Sequence, residues 1–590
     1  MLEKLSKYID LIILNAGNYD KFFKDNPWLD KHNFENICIR YGFPNQCLTL
    51  LIEYHYIDAA YRDVYYHYWS RTHFSWPRYS KRLFLFRNCH MKESFYDEKY
   101  KEELENDFLG TIIVRSAYSD STDHTFGKTL LTPYKMVLKD EDGVNYSLKY
   151  LETTEHKIHL LGNTYKVNAF PFSSQDGVAM KCAETAIYVL CEYASALSPW
   201  HARILPSDIQ NKLKDRLPER ILPSRGLYCN DISYLLREFG FSPMIYAGTE
   251  SKDNVSSEQK GRGVQDLRIG LICDEQMNEL QPNSGIEELW DSKHVTDFKK
   301  WFHYYVESGI PVLTITSPNQ EVNKHAALVI GHGIKRKSLD ECRIYKLGKL
   351  PCMDTSELYE NYIVQDDNQI PYVEEKMDKF TRSKNYKLDA FIVPLERHVF
   401  LEASSAVSIC DTFITEENDM VIEAIDYMVA ECKNQIALAK DDETKDQYLS
   451  LIDALTVSED NPITIRYYLA KSAEYKQYRI TNGVTQSDKT FYADVPMPKS
   501  VWIAEISTYQ CYEMGFGFGE VVLDATASNQ SRVNSILLIR MAHLGVYRLP
   551  DETYDDFNNK IKNQAHYMDL SSMLVLFSNF IKPEWSLDDE

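Results

Sequence analysis

No two cysteines of this chain stand at CxxC spacing, and Cys89-His90 has no second half at ligand distance. Its 12 cysteines therefore suggest neither a structural zinc site nor a disulfide framework, and free thiols point to a reducing compartment. Positive charge is also scarce. Lys and Arg number 65 against 87 Asp and Glu, the formal charge is −22 and the pI is near 5.3. Such a surface repels phosphate backbones, and no Lys/Arg run with interleaved aromatics offsets it, so nucleic acid is not an expected partner. Long apolar runs are missing too. The stretch near Met573 to Phe577 falls far short of the roughly 20 residues of a membrane span. The N-terminus has early acids, and its apolar run Leu11 to Leu14 is too short for a signal-peptide core. No membrane partner and a cytoplasmic location are the expectations.

At 590 residues with 44% hydrophobic content, the chain is long enough for two or three cores. It contains no internal repeat and no low-complexity linker to mark their borders. Residues 1–164 read as an α+β domain: Leu48 to Trp69 carries aromatics at helical intervals, followed by strands at Leu83 to Phe86 and Phe108 to Val114. Residues 165–400 read as helices first and antiparallel strands later. Cys182 to Leu197 has an apolar stripe, Asp231 to Phe239 is stopped by Gly240, Val295 to Val306 is aromatic inward, and strands follow at Ile310 to Ile315, Ala326 to Ile330 and Tyr362 to Asp366. Residues 401–590 are predicted to be helical from Thr415 to Lys440, Lys445 to Leu455 and Ile463 to Tyr478, and to end in a small sheet from Val501 to Ile539.

One constellation carries chemistry. Cys182 stands where a helix begins, and a thiol there ionises more readily because unpaired N–H groups and the helix dipole favour the thiolate. Its own N–H can donate to an oxyanion, and Gln175 on the approach loop can supply a second donor. His325 opens an otherwise apolar strand and is the natural proton acceptor. Alternation puts it on one face with Ala327 and Val329. Asp366 ends the following strand, where it can orient the imidazole and stabilise its charged form, and Asp367 and Asn368 compete for that role. His332, at the far end of the His325 strand, is the rival base. His55, His67 and His73, near Asp58 and Asp63, have spacings that share no helical face, so no metal is expected.

The stretch from Gln175 to Asp366 resembles the papain-like cysteine peptidases, especially the branch containing the bacteriocin double-glycine leader peptidases and their stand-alone relatives. The resemblance rests on Gln175 before Cys182-Ala183, on Gly226-Leu227 opening a helix that ends Arg237-Glu238-Phe239-Gly240-Phe241, on Ser308-Gly309-Ile310-Pro311-Val312, on His325-Ala326-Ala327-Leu328-Val329-Ile330-Gly331, and on Tyr362-Ile363-Val364-Gln365-Asp366. It implies a papain-like core of helices packed on an antiparallel sheet, with Cys182 as nucleophile, His325 as base, Asp366 as orienter and Gln175 as oxyanion donor. Relatives usually have glycine where Ala183 stands, and a glutamine six residues before the cysteine rather than seven. No exporter domain accompanies the region, so the processing of secreted bacteriocin leaders is not expected.

The expectation is then an α+β, cofactor-free thiol hydrolase acting on a protein or peptide through a thioester, its flanking regions serving to restrict the substrate or to meet a regulatory protein. An acyltransferase or deamidase with the same thiol is the alternative within enzymology. A peptidase-like binding or sensing protein without turnover is the alternative outside it.

Overall fold

The computed structural model describes residues 8–73, 75–115, 126–133, 138–139, 145–146, 150–216, 222–247, 293–318, 324–333, 337–376, 386–483, 485–528, 534–562 and 574–576. The chain is α+β, built on antiparallel sheets with helices between them. Among the described residues no helix is long and apolar enough to cross a membrane.

The first sheet has five strands in sequence order, Ile9–Leu14, Leu48–Tyr56, Ser80–Arg87, Phe108–Val114 and Phe126–Leu131. Here the aromatic stretch departs from expectation. Leu48–Tyr56 is a central strand, and only Ala59–His67 is helical, capped by Asp58, whose carboxylate accepts from Tyr61 N at 2.7 Å. Leu48 to Ile52 are buried, and an apolar run with both faces covered has no period to separate strand from helix. Glycine is required once in this sheet: Gly110 has φ +127°, and a Cβ there meets Leu130 O at 2.0 Å.

The second sheet lies in the middle of the chain, in the order Ser242–Ala247, Tyr386–Leu395, Val312–Pro318, His325–His332, Asn361–Gln365 and Val373–Lys376, with Tyr150–Leu151 pairing onto Gly331 and His332. Every pairing in it is antiparallel. The Cys182–Leu197 helix packs on one face, where Ala183, Ala186, Ile187 and Leu190 join Ala326, Leu328 and Ile330 in one core. The Lys293–Glu307 helix covers the other face, where Phe298, Phe302 and Tyr305 meet Ala327 and Val329. Two covered faces make these strands nearly continuous apolar runs.

The third sheet has seven strands, larger than the small terminal sheet expected, and it recruits Tyr345–Leu347 and Leu350–Asp354 from the middle of the chain. Ile463–Lys471 is a strand in it, pairing in parallel with Cys352–Asp354 and antiparallel with Ser500–Thr508. The helix expected over Ile463 to Tyr478 starts only at Ser472. The segment Ile-Thr-Ile-Arg-Tyr-Tyr-Leu-Ala is β-branched and aromatic, and all of it is buried. Its β-propensity acts in the sheet, while its lack of polar punctuation mimics an amphipathic helix. One cysteine expectation is also corrected, since Cys47 and Cys89 form a disulfide. Proximity decides this: the two residues end adjacent strands or the turns beside them, with Cα atoms 5.9 Å apart.

Candidate active site

Cys182 is the first residue of its helix, and the loop that delivers it is held by its own side chains. Asp176 Oδ1 accepts from the backbone N–H groups of Val178, Ala179 and Met180 at 2.9, 2.7 and 2.9 Å. Gly177 supplies the positive φ of +71° that this turn needs. Arg115, buried beneath, donates to Ser174 O at 2.7 Å and Phe126 O at 3.1 Å, tying the loop to the first sheet. Just inside the helix the Glu184 carboxylate accepts from Lys181 N at 3.3 Å and from the Ser224 hydroxyl. The thiol is partly exposed on a backbone clamped from both sides.

Opposite it, sheet register assembles the partners. His325 is the first residue of its strand, and Leu328 pairs with Gln365 in the antiparallel neighbour. Residues that follow Gln365 are thereby carried toward the His325 end. His325 Nε2 lies 2.9 Å from Asp366 Oδ1. Asp366 Oδ1 also accepts from Asn368 N at 2.9 Å, and Oδ2 accepts from Gln369 Nε2 at 3.1 Å. With Nε2 given to Asp366, Nδ1 faces the Asn368 amide at 3.4 Å, and the Cys182 thiol is close enough to the ring to help hold its proton.

The electrostatics favour an ion pair. Burial disfavours a charged imidazolium, but the Asp366 charge and hydrogen bond, the bond to Cys182 and the Asp367 charge outweigh it and hold His325 well above the ordinary histidine range. Burial likewise opposes ionisation of Asp366. The His325 charge and the three donors overcome it and hold the carboxyl below its usual value. An imidazolium fixed by a carboxylate beside a sulfur at a helix N-terminus can ionise a thiol, pass a proton and return it.

All four residues nominated from the sequence meet in this network. Gln175 joins it indirectly: its Nε2 donates to Asn368 Oδ1 at 2.7 Å, so Asn368 links the glutamine to the imidazole. Asp367 lies farther from His325 Nε2 than Asp366 does, at 3.7 Å. Sequence reasoning missed Asp176, Arg115, Glu184 and Gln369, which hold these groups rather than react. The signal for one of them was visible in the unbroken polar run from Gln365 to Gln369 behind an apolar strand.

His332, the rival base, is fully buried elsewhere. Its Nε2 is 2.6 Å from Glu307 Oε2 and its Nδ1 is 3.0 Å from Gly333 O. With His303 it forms a His-Glu-His group that could hold a cation. Glu307 is, however, already matched by Arg466 and His332, and Arg466 and Arg479 continue the pairing to Glu505 and Glu520. A carboxylate already paired with a guanidinium and hydrogen-bonded to an imidazole has little charge left for a metal. The residues His55, His67 and His73 form no such group among the described residues. No family model matches the chain, and no curated protein matches it.

Proposed function

We propose that this protein is a thiol hydrolase cleaving a peptide or isopeptide bond, with a papain-like arrangement of its middle region. The observation that carries the reading is the set Cys182, His325 and Asp366, in which one imidazole is held by a buried carboxylate at 2.9 Å and lies beside a helix-opening thiol. Cys182 attacks the substrate carbonyl as a thiolate while His325 holds the proton. The backbone N–H of Cys182 and the Gln175 amide stabilise the oxyanion, a donor of this kind being worth about two to three orders of magnitude in turnover. His325 then protonates the leaving amine, and the thioester is released by a water that His325 deprotonates. Asp366 keeps the imidazole in the orientation that faces sulfur.

The test is reaction with iodoacetamide near neutral pH, followed by peptide mapping. The reading expects preferential alkylation at Cys182 that falls sharply in His325→Ala. Equal labelling of the two proteins overturns it in favour of a peptidase-like binding protein. Mass analysis of products then separates hydrolysis, which adds water at a cut bond, from deamidation or transfer.

A further inference from the structure

Beside the sulfur lies a cavity of about 10 Å³, lined in part by Cys182, Thr185, Ala326, Gln365 and Asp367. That volume is roughly one water. Three of the lining side chains bring buried polar atoms that have no hydrogen-bond partner among the described residues: Thr185 Oγ1, Gln365 Nε2 and both Asp367 carboxylate oxygens. Unpartnered buried groups cost about 1–3 kcal/mol each, so their gathering around one small space calls for an explanation. The orientation of Gln365 is fixed independently. Its Oε1 accepts from Tyr372 N at 3.1 Å, leaving Nε2 as the free end of the amide. Asp367 is 5% exposed, against 2% for Asp366. The two neighbours are thus equally interior, yet one carboxylate accepts three well-formed hydrogen bonds while the other has the imidazole no nearer than 3.7 Å.

We propose that Asp367 is a second positioning carboxylate of the thiol site, facing the same imidazole nitrogen as Asp366 and seating, with Gln365 and Thr185, one buried water beside Cys182. The inference rests on the thiol reading above and deepens it. A water here has three polar partners, the number a buried water usually finds. It satisfies the Thr185 hydroxyl, the Gln365 amide and one Asp367 oxygen together. The carboxylate itself acts through His325, 3.7 Å away. The titratable groups that face it are His325 and Asp366 from the sheet and Cys182 from the helix.

Asp367 differs from Asp366 in when it is charged. Burial, with the Asp366 charge added to it, pushes the Asp367 carboxyl up to about 7 even though the His325 charge opposes this. Below that pH it is a neutral acid and the imidazolium has one counter-charge. Above it the imidazolium has two. The second charge favours the protonated imidazole, so the site gains an ionisation in the neutral range that belongs to neither sulfur nor histidine.

The experiment measures the rate of iodoacetamide alkylation at Cys182 from about pH 5 to about pH 9 in wild type, Asp367→Asn and Thr185→Val, with the His325 ring titrated by NMR. Wild type should show an inflection near pH 7 separate from that of the thiol. In Asp367→Asn that inflection should vanish and the ring should titrate at lower pH, with Cys182 still the preferred target. Thr185→Val keeps both carboxylates but removes a water partner, so the inflection should move to higher pH. An Asp367→Asn profile identical to wild type overturns the inference and leaves the thiol reading standing. If Asp367→Asn does not fold, an inflection unmoved by Thr185→Val overturns it instead. Wild type without preferential alkylation of Cys182 at any pH overturns both.

Discussion

His325 and Asp366 are 41 residues apart in the chain and 2.9 Å apart in space. One antiparallel pairing, Leu328 with Gln365, is responsible for that closeness. A slip of one residue in this register would move Asp366 to the opposite side of its strand and uncouple it from the imidazole. The functional reading of Cys182 therefore depends on strand register as much as on the cysteine.

If the protein is the thiol hydrolase proposed, Cys182→Ala abolishes turnover while leaving the melting temperature nearly unchanged, because the sulfur is only half-buried at a helix end. Cys229 is the internal control. Burial holds its thiol above the ordinary value, so it should alkylate slowly in the same digest.

Asp366→Asn removes the nearer of the two carboxylates facing a buried imidazole and should destabilise the protein by about 3 kcal/mol, with a pH dependence of defined sign. His325 titrates above its unfolded value of about 6.5, so its contribution is complete below that pH and is lost as pH rises through the raised folded value. Asp366 titrates below about 3.9, so its contribution is complete above that pH and is lost as pH falls through the depressed folded value. The gap in melting temperature between wild type and variant should be widest between about pH 4 and 6.5 and should narrow on both sides. A gap independent of pH would mean that the two groups do not share a charge interaction.

Asp176→Ala removes one acceptor from three backbone donors. The expected loss is about 1–3 kcal/mol, concentrated in the approach loop. Hydrogen exchange should quicken at Val178, Ala179 and Met180, and alkylation of Cys182 should slow although no atom of the network itself has changed. Unchanged exchange at those three amides would refute the clamp.

Arg466→Met should be the most damaging single change outside the thiol site. Arg466 joins Glu307, from the helix beneath the middle sheet, to Glu505 in the third sheet, and all three side chains are buried. Removing it leaves Glu307 to the His332 imidazole alone and Glu505 to Arg479 alone, and should cost about 3–5 kcal/mol in urea unfolding. Replacing Arg466, Glu307 and Glu505 together by apolar residues of similar volume should cost much less, since no charge is then left unpaired. Equal losses in the two variants would show that packing, not charge, is what Arg466 contributes.

Tyr372→Phe tests how the first sheet is fixed to the site. The Tyr372 hydroxyl donates to Leu131 O at 2.7 Å and accepts from Phe170 N at 2.9 Å, bridging the first sheet to the segment just beyond Asp366. Loss of that oxygen should lower stability by about 1–3 kcal/mol, read by thermal melting, with less effect on alkylation than Asp176→Ala.

The candidate site was legible in the sequence to the extent that it is local. A cysteine at the start of an apolar helical stripe, a histidine opening an apolar strand and an aspartate closing another are each set by a run of neighbouring residues, and those elements form where their patterns end. Helix and strand become indistinguishable where both faces are covered, which is why Leu48–Tyr56 and Ile463–Lys471 read as helical. Alternation also misdirects at His325. It groups that residue with Ala327 and Val329, which pack on the face away from the Cys182 helix. His325 is the first residue of its strand, where the alternation of the strand interior no longer constrains the side chain.

Composition and pattern by themselves determined that this chain has strongly acidic, aromatic-rich α+β character, and they nominated the residues that the fold gathers at the candidate site. Tertiary structure alone decided that Asp366 rather than Asp367 bonds the imidazole, that Asn368 ties Gln175 to it, and that His332 is spent on a buried ion network. The reason is range. Propensity and periodicity act over a few neighbouring residues, whereas a bond between residues tens or hundreds of positions apart is fixed by sheet register and by which face each helix covers.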